Sequence, residues 1–117
     1  NVFPEEIEEM IMKLPYVSEC MMFTREKHNE LVLWCEIVYE PALLEEENIT
    51  REQLAARFAK DLADINDILP KYKHINHFIM SEEPMIKTTT QKVKRRAEVD
   101  KIYKQWDDEK CYNTIMK

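Results

Sequence analysis

Not one glycine occurs in this 117-residue chain. Glycine enters the left-handed backbone region at little steric cost, so every tight turn here has to be made by some other residue. Such positions are expected on asparagine or aspartate, or not at all. Loops that cradle phosphate through consecutive glycines are excluded. The length suits one domain over residues 1–117, near the common size of about 100 to 150 residues. The longest unbroken apolar run, Leu31 to Cys35, is five residues, whereas a membrane span needs about 20. Nor does a basic stretch followed by an apolar one open the chain as in a secretory signal. Cys20, Cys35 and Cys111 are odd in number and lack a CxxC spacing, so a reducing compartment fits and the cytoplasm is the expected location. The chain begins with Asn1 in what reads as the approach to a helix, and a piece of a longer polypeptide is expected.

Residues 1–14 predict a short helix, with Pro4 in its first turn, Glu5 and Glu6 at its positive end and Ile7, Met10, Ile11 and Leu14 on one stripe before Pro15. Residues 17–23 and 31–39 read as two strands joined by the polar segment 25–30, although the first lacks clean alternation. Residues 41–48 read as an acidic connection. Next comes the strongest local signal in the chain. Thr50 and Gln53 form a capping box and Ile49 and Leu54 a hydrophobic staple, followed by the stripe Leu54, Phe58, Leu62, Ile65 and Leu69 up to Pro70. Residues 75–80 predict a third strand, Thr88 to Val93 a short β-hairpin, and a closing helix from about Lys94 is expected to bury Val99, Ile102, Tyr103 and Trp106. The sum is an α+β domain, a small antiparallel sheet with helices against one face.

Charge is unevenly spread: residues 1–50 hold twelve acidic and three basic side chains, and residues 51–117 hold eleven and fourteen. Lys87, Lys92, Lys94, Arg95, Arg96, Lys101 and Lys104 stand close together against Glu98 and Asp100. A solvated helix face and a phosphate contact both fit such a cluster. His74 and His77, with Cys20 and Cys35 elsewhere, lack the paired close spacing of a zinc site, so no metal ligands are assigned.

The order of residues in three separated segments is more specific. Asn1-Val2-Phe3-Pro4-Glu5-Glu6-Ile7-Glu8, Tyr72-Lys73 and Lys87-Thr88-Thr89-Thr90-Gln91-Lys92-Val93-Lys94-Arg95 together resemble the small C-terminal domain of AMP-forming acyl-coenzyme A ligases. That adenylate-forming superfamily also includes luciferases and peptide-synthetase adenylation domains. The likeness runs over about residues 1 to 104. The threonine-rich form of the last segment is most similar to long-chain fatty acid–CoA ligases. The chain departs from the usual pattern at Ile86, where proline is common, and at Gln91, where glycine commonly precedes the lysine.

The resemblance implies a mobile lid whose β-hairpin carries a catalytic lysine, Lys92. It also implies a separate large N-terminal domain binding ATP, Mg2+ and the fatty acid, so the isolated chain is expected to fold without catalysing. In such enzymes a carboxylate attacks the α-phosphorus of ATP, and an ammonium offsets the repulsion between the two anions. An unburied lysine, with an ordinary pKa of about 10.4, supplies that charge at neutral pH as an electrostatic clamp rather than a base. The resemblance further implies a second orientation in which coenzyme A reaches the acyl-adenylate. Asn1 and Val2 fall beside its passage, and Lys73, Arg95 and Arg96 are candidates for its phosphates, with surface solubility as the alternative for each. Expected partners are the N-terminal domain and these substrates, with no nucleic acid and no transmembrane segment; peripheral membrane association of the intact enzyme is compatible with the reading. Two rivals stand beside it: a non-catalytic α+β module whose basic tail holds RNA or an acidic protein, and an adenylation domain loading a carrier protein. Exposed aromatics on the sheet would favour the RNA-binding form, and Phe78 is the one residue near the right place.

Overall fold

The structure, a computed structural model, describes residues 4–105 and 113–114. Helix α1 (Pro4–Met12) leads into strands β1 (Val17–Lys27) and β2 (Glu30–Tyr39). Helices α2 (Pro41–Glu47) and α3 (Arg51–Ile68) and a 3-10 turn (Lys71–Lys73) connect β2 to strand β3 (His77–Ser81). Helix α4 (Arg95–Gln105) and the two-residue strand β4 (Asn113–Thr114) follow.

The α+β class holds, but the sheet is mixed, in the order β1-β2-β3-β4. β1 and β2 form the expected antiparallel hairpin, whose turn is His28-Asn29 with φ of 52° and 65°. Two consecutive left-handed residues are what a two-residue hairpin needs to match strand twist. β3 lies parallel to β2, not antiparallel, because the whole helical segment 40–76 crosses over between them and returns the chain to the same end of the sheet. β4 then pairs antiparallel with β3.

Both faces of the sheet are covered, where the sequence predicts only one. On one face Met22, Cys35, Ile37, Tyr39, Phe78 and Met80 pack under Ile7 and Ile11 of α1 and under α3. On the other, Met21, Phe23, Trp34, Val38 and Ile79 pack with Met85 and with Ile102 of α4. A strand buried on both sides reads as a near-continuous apolar run, which is why 17–23 shows no clean alternation.

The stripe predicted for α3 is the centre of the first core: Leu54, Phe58 and Leu62 are 0% exposed and Ile65 and Leu69 nearly so. Its capping box is formed, with Thr50 Oγ1 accepting from the Gln53 amide (3.0 Å) and Gln53 Oε1 from the Thr50 amide (2.8 Å). Asn66, buried in the last turn, exchanges two hydrogen bonds with the Ile75 backbone (2.8 and 2.9 Å) and so aligns the start of β3. At the other end of the helix, Arg51 Nε donates to the Tyr39 hydroxyl (3.1 Å), which donates to Glu82 (2.9 Å).

Several expectations need correction. Residues 41–48 form helix α2, started by Pro41 in its first turn and ended by Asn48 in the left-handed region. Positive φ falls on Asn29 and Asn48 as anticipated, but also on Tyr16, His28 and Gln91. The 88–93 hairpin contains one β-bridge, Lys87 to Val93. Ile102 is buried as expected and Val99 half-buried, whereas Tyr103 is 40% exposed and donates its hydroxyl to the Thr24 carbonyl (3.2 Å). Trp106 lies outside the described residues.

The α4 face contains an acidic pair. Glu36, in the middle of β2, and Glu98, in the first turn of α4, are 2% and 0% exposed, and each keeps one buried carboxyl oxygen, Glu36 Oε1 and Glu98 Oε2, that a proton between the two groups would satisfy. Burial, then the hydrogen bond and charge of Glu98, push the Glu36 pKa up to about 8, against the opposing pull of Lys101. Folding therefore takes up a proton wherever the unfolded carboxyl is ionised and the folded one is not. Stability is expected to decline as pH rises from about 4.5 to about 8, with a slope on the order of 1 kcal/mol per pH unit. Glu36→Gln should flatten that slope in urea titrations of the 117-residue chain at stepped pH; parallel slopes in the two proteins would refute the assignment. Thr50→Ala is expected to lower stability by about 1 kcal/mol in the same titrations, and Thr50→Ser to change it little.

A lysine-bearing hairpin held from its root

Residues 86–94 leave the core and return to it through a turn built without glycine. The Gln91 amide donates to the Thr88 carbonyl (3.0 Å), closing the turn Thr88-Thr89-Thr90-Gln91. The Thr88 amide donates to the Lys92 carbonyl (2.7 Å), and the Lys94 amide to the Ile86 carbonyl (2.8 Å). Gln91, where the resemblance leads one to expect glycine, has φ of 66°. A residue with a Cβ thus takes the left-handed backbone at this point, at a steric cost of about 1–2 kcal/mol. Thr88 Oγ1 contributes to holding it, accepting from the Lys92 amide (3.2 Å) and sharing a hydrogen with Thr90 Oγ1 (2.9 Å).

Two carboxylates from the body of the domain hold the root of this hairpin. Glu19 of β1 accepts from the Met85 amide (3.2 Å) and pairs with the Lys87 ammonium. Glu98 of α4 accepts from the Ile86 amide (2.9 Å) and lies 3.3 Å from Lys101 Nζ. At the tip, Lys92 is exposed, and its side chain has no partner among the described residues.

The other predicted residues are placed differently. Arg95 forms a two-pronged pair with Glu8, at 2.7 Å to Oε2 and 2.5 Å to Oε1. Glu8 is 9% exposed and also accepts from the Met22 amide (2.7 Å), so this pair joins α1, β1 and α4. Glu8 holds the Arg95 guanidinium still more firmly protonated than usual. Lys73 sits on the 3-10 turn, its ammonium 5.9 Å from the Tyr72 ring centroid, and so is not brought beside Lys92 or Arg95 by any contact. Arg96 is exposed on the first turn of α4. Asn1 and Val2 lie outside the described residues. An open cleft of about 300 Å³ lies beside the start of α1, lined by Pro4, Glu5, Met22, Phe23, Leu33 and Arg95.

Cys20, Cys35, His74 and His77 belong to the packing, and Cys111 lies outside the described residues. Cys35 is fully buried, and Cys20 donates to the Glu8 carbonyl (3.3 Å), its thiol pushed up to about 12 chiefly by burial. His77 lies against Trp34 at 4.3 Å between ring centroids, and His74 Nε2 is 3.1 Å from the Leu69 carbonyl. No three metal-ligating side chains converge among the described residues.

Sequence reasoning missed Glu8, Glu19, Glu36 and Glu98. The signal was present for three of them: Glu36 interrupts an apolar strand, and Glu8 and Glu98 stand one turn before the core residues Ile11 and Ile102.

Solved structures with the same fold include an adenylation domain of a carboxylate reductase from Mycobacterium chelonae, with TM-score 0.65 and 17% identity over 92% of this chain and 18% of that one. Coronafacic acid ligase from Pectobacterium brasiliense matches with TM-score 0.60 and 19% identity over 97% of this chain and 19% of its own. A fatty acyl CoA synthetase of Mycobacterium tuberculosis matches with TM-score 0.60 and 20% identity over 91% and 18%. This chain thus spans about a fifth of the length of these proteins. No curated protein matches it by sequence. The model of the AMP-binding enzyme C-terminal domain covers residues 1–114, and the chain belongs to that family.

Proposed function

We propose that the chain is the C-terminal lid of an ATP-dependent, AMP-forming acyl-CoA ligase, acting on a long-chain fatty acid, and that Lys92 is its catalytic lysine. One observation carries the assignment. Three basic side chains near the hairpin are engaged inside the domain, Lys87 by Glu19, Arg95 by Glu8 and Lys101 by Glu98, while the exposed ammonium of Lys92, on the hairpin itself, is left for an external anion.

In the first half-reaction a carboxylate oxygen bonds to the α-phosphorus of ATP. The bond from that phosphorus to the bridging oxygen breaks, and pyrophosphate leaves with the electron pair. Lys92 offsets the repulsion as the two anions meet and donates to the oxygens on which charge shifts. In the second, the coenzyme A sulfur bonds to the acyl carbon, AMP departs and the thiol proton is released. The cleft beside the start of α1 supports a role for that end of the lid near the thiol, and Asn1 and Val2 remain the residues that the resemblance assigns there. Arg95, held by Glu8, is better suited to fixing the wall of this cleft than to binding phosphate, and Lys73 remains the candidate for a coenzyme A phosphate. ATP and Mg2+ are assigned to the separate N-terminal domain that the resemblance implies; this chain has no glycine loop, and no three of its described side chains are grouped to hold a metal. No helix of the described residues is long and apolar enough to cross a membrane.

The RNA-binding alternative needs a stacking surface on the sheet, and its aromatic, Phe78, is 0% exposed and packed edge-on against Phe58.

Lys92→Ala in the intact ligase should lower adenylate formation by about 10²–10³-fold, as removal of other charge-stabilising donors does. Thioester formation from supplied acyl-adenylate should largely survive. Equal losses in pyrophosphate release and in thioester formation would refute the role.

A further inference from the structure

We propose that Glu98 is a positioning residue for Lys92: from inside α4 it holds the Ile86 end of the hairpin, and its contact with Glu36 makes that hold sensitive to one proton. The role rests on the assignment of Lys92 above, but its geometry does not.

Ile86 is the stem residue through which the hairpin is fixed. Its amide is bound by Glu98 (2.9 Å) and its carbonyl by the Lys94 amide (2.8 Å), two residues from Lys92. Glu98 is 0% exposed, so its carboxylate has been withdrawn from water to make this bond. The charged groups around it come from every neighbouring element. Glu36 of β2 acts on it and is itself acted on by Glu19 of β1, Lys101 of the next turn of α4 lies 3.3 Å away, and Glu83 of the segment after β3 lies 4.0 Å from Lys101. Lys87 is taken by Glu19. A single ammonium, Lys101, thus stands against two buried carboxyl groups, and a proton on Glu36 lets them share a hydrogen bond instead of repelling. Glu36 keeps that proton to about pH 8. When it is lost, two like charges meet away from water, and Glu98 relieves them by turning aside and releasing the Ile86 amide.

Three variants of the intact ligase test this. Glu98→Leu removes the acceptor: adenylate formation should fall about tenfold to a hundredfold, as small misplacements of catalytic groups do, with thioester formation from supplied acyl-adenylate little changed. Amide hydrogen exchange in residues 85–88 should quicken. Glu98→Gln keeps an acceptor for Ile86 and should recover both readouts. Glu36→Gln imitates the protonated carboxyl and should remove an alkaline decline in adenylation that the unsubstituted enzyme shows between about pH 7 and 9. Exchange at 85–88 unchanged in Glu98→Leu, or superimposable pH profiles for Glu36→Gln and the unsubstituted enzyme, would overturn the proposal. The exchange readout needs no ligase chemistry. If Lys92→Ala spares adenylation, the catalytic reading fails by itself while exchange still decides whether Glu98 anchors the hairpin.

Discussion

A small sheet covered on both faces leaves a carboxylate on its inner positions no route to water, so each such group must find a cation, an amide or a proton. Four glutamates, two in the strands and two on the helices that cover them, meet that demand here, each linking two or more elements. Glu8 joins α1 to β1 and α4 through the Met22 amide and Arg95. Glu19 ties β1 to Met85 and Lys87, and Glu98 ties α4 to Ile86. Glu36 has Glu98 as its neighbour and resolves its burial with a proton. Removing one partner from such a site is worse than never having built it, because the remaining charge stays buried. These contacts therefore fix where α4 and the hairpin lie relative to the sheet more tightly than the apolar contacts of Ile102 and Val99 alone.

The hairpin depends on this arrangement because its own structure is slight. One bridge, a closed turn and two threonine hydroxyl contacts hold it, and Gln91 occupies a backbone region that glycine would enter freely. A two-stranded ribbon of this size is marginal in water on its own. Fixing Met85, Ile86 and Lys87 at the root converts a weak ribbon into a directed one, since only the turn beyond them remains to be ordered.

Features specified by neighbouring residues were legible in the sequence. Helix α3 carries its cap, staple and stripe within one segment, and the β1–β2 hairpin needs only two strands and a polar turn. The lysine segment was recognisable from the order of its residues. What escaped notice depended on distant parts of the chain. The direction of β3 is set by the crossover of 40–76, and burial of β1 on its second face is set by α4, almost 80 residues later. Helix α2 carried a usable sign in Pro41, but Glu45, Glu46 and Glu47 at its negative end suggested a loop. The glutamates were not singled out because acidic residues are almost never fully buried unless paired, and the amides and the guanidinium that hold Glu8, Glu19 and Glu98 lie from 12 to 87 residues away.

Pairing also divides the seven basic side chains of this stretch: among the described residues three are bound by carboxylates within the domain, while Lys92 on the hairpin, like Lys94, Arg96 and Lys104, is not. Lys87, Arg95 and Lys101 face carboxylates of the same domain, so their contacts travel with the domain in any pose it takes. An ion pair made within a moving body neither favours nor opposes the movement, because it is present before and after. The charge at Lys92 has no such internal partner among the described residues, and its energy changes with what the lid faces. In the proposed ligase that difference favours the orientation in which carboxylate and α-phosphate are together. It lapses when pyrophosphate has left and the negative charge at the site has fallen, which frees the lid to turn its other face toward the thiol.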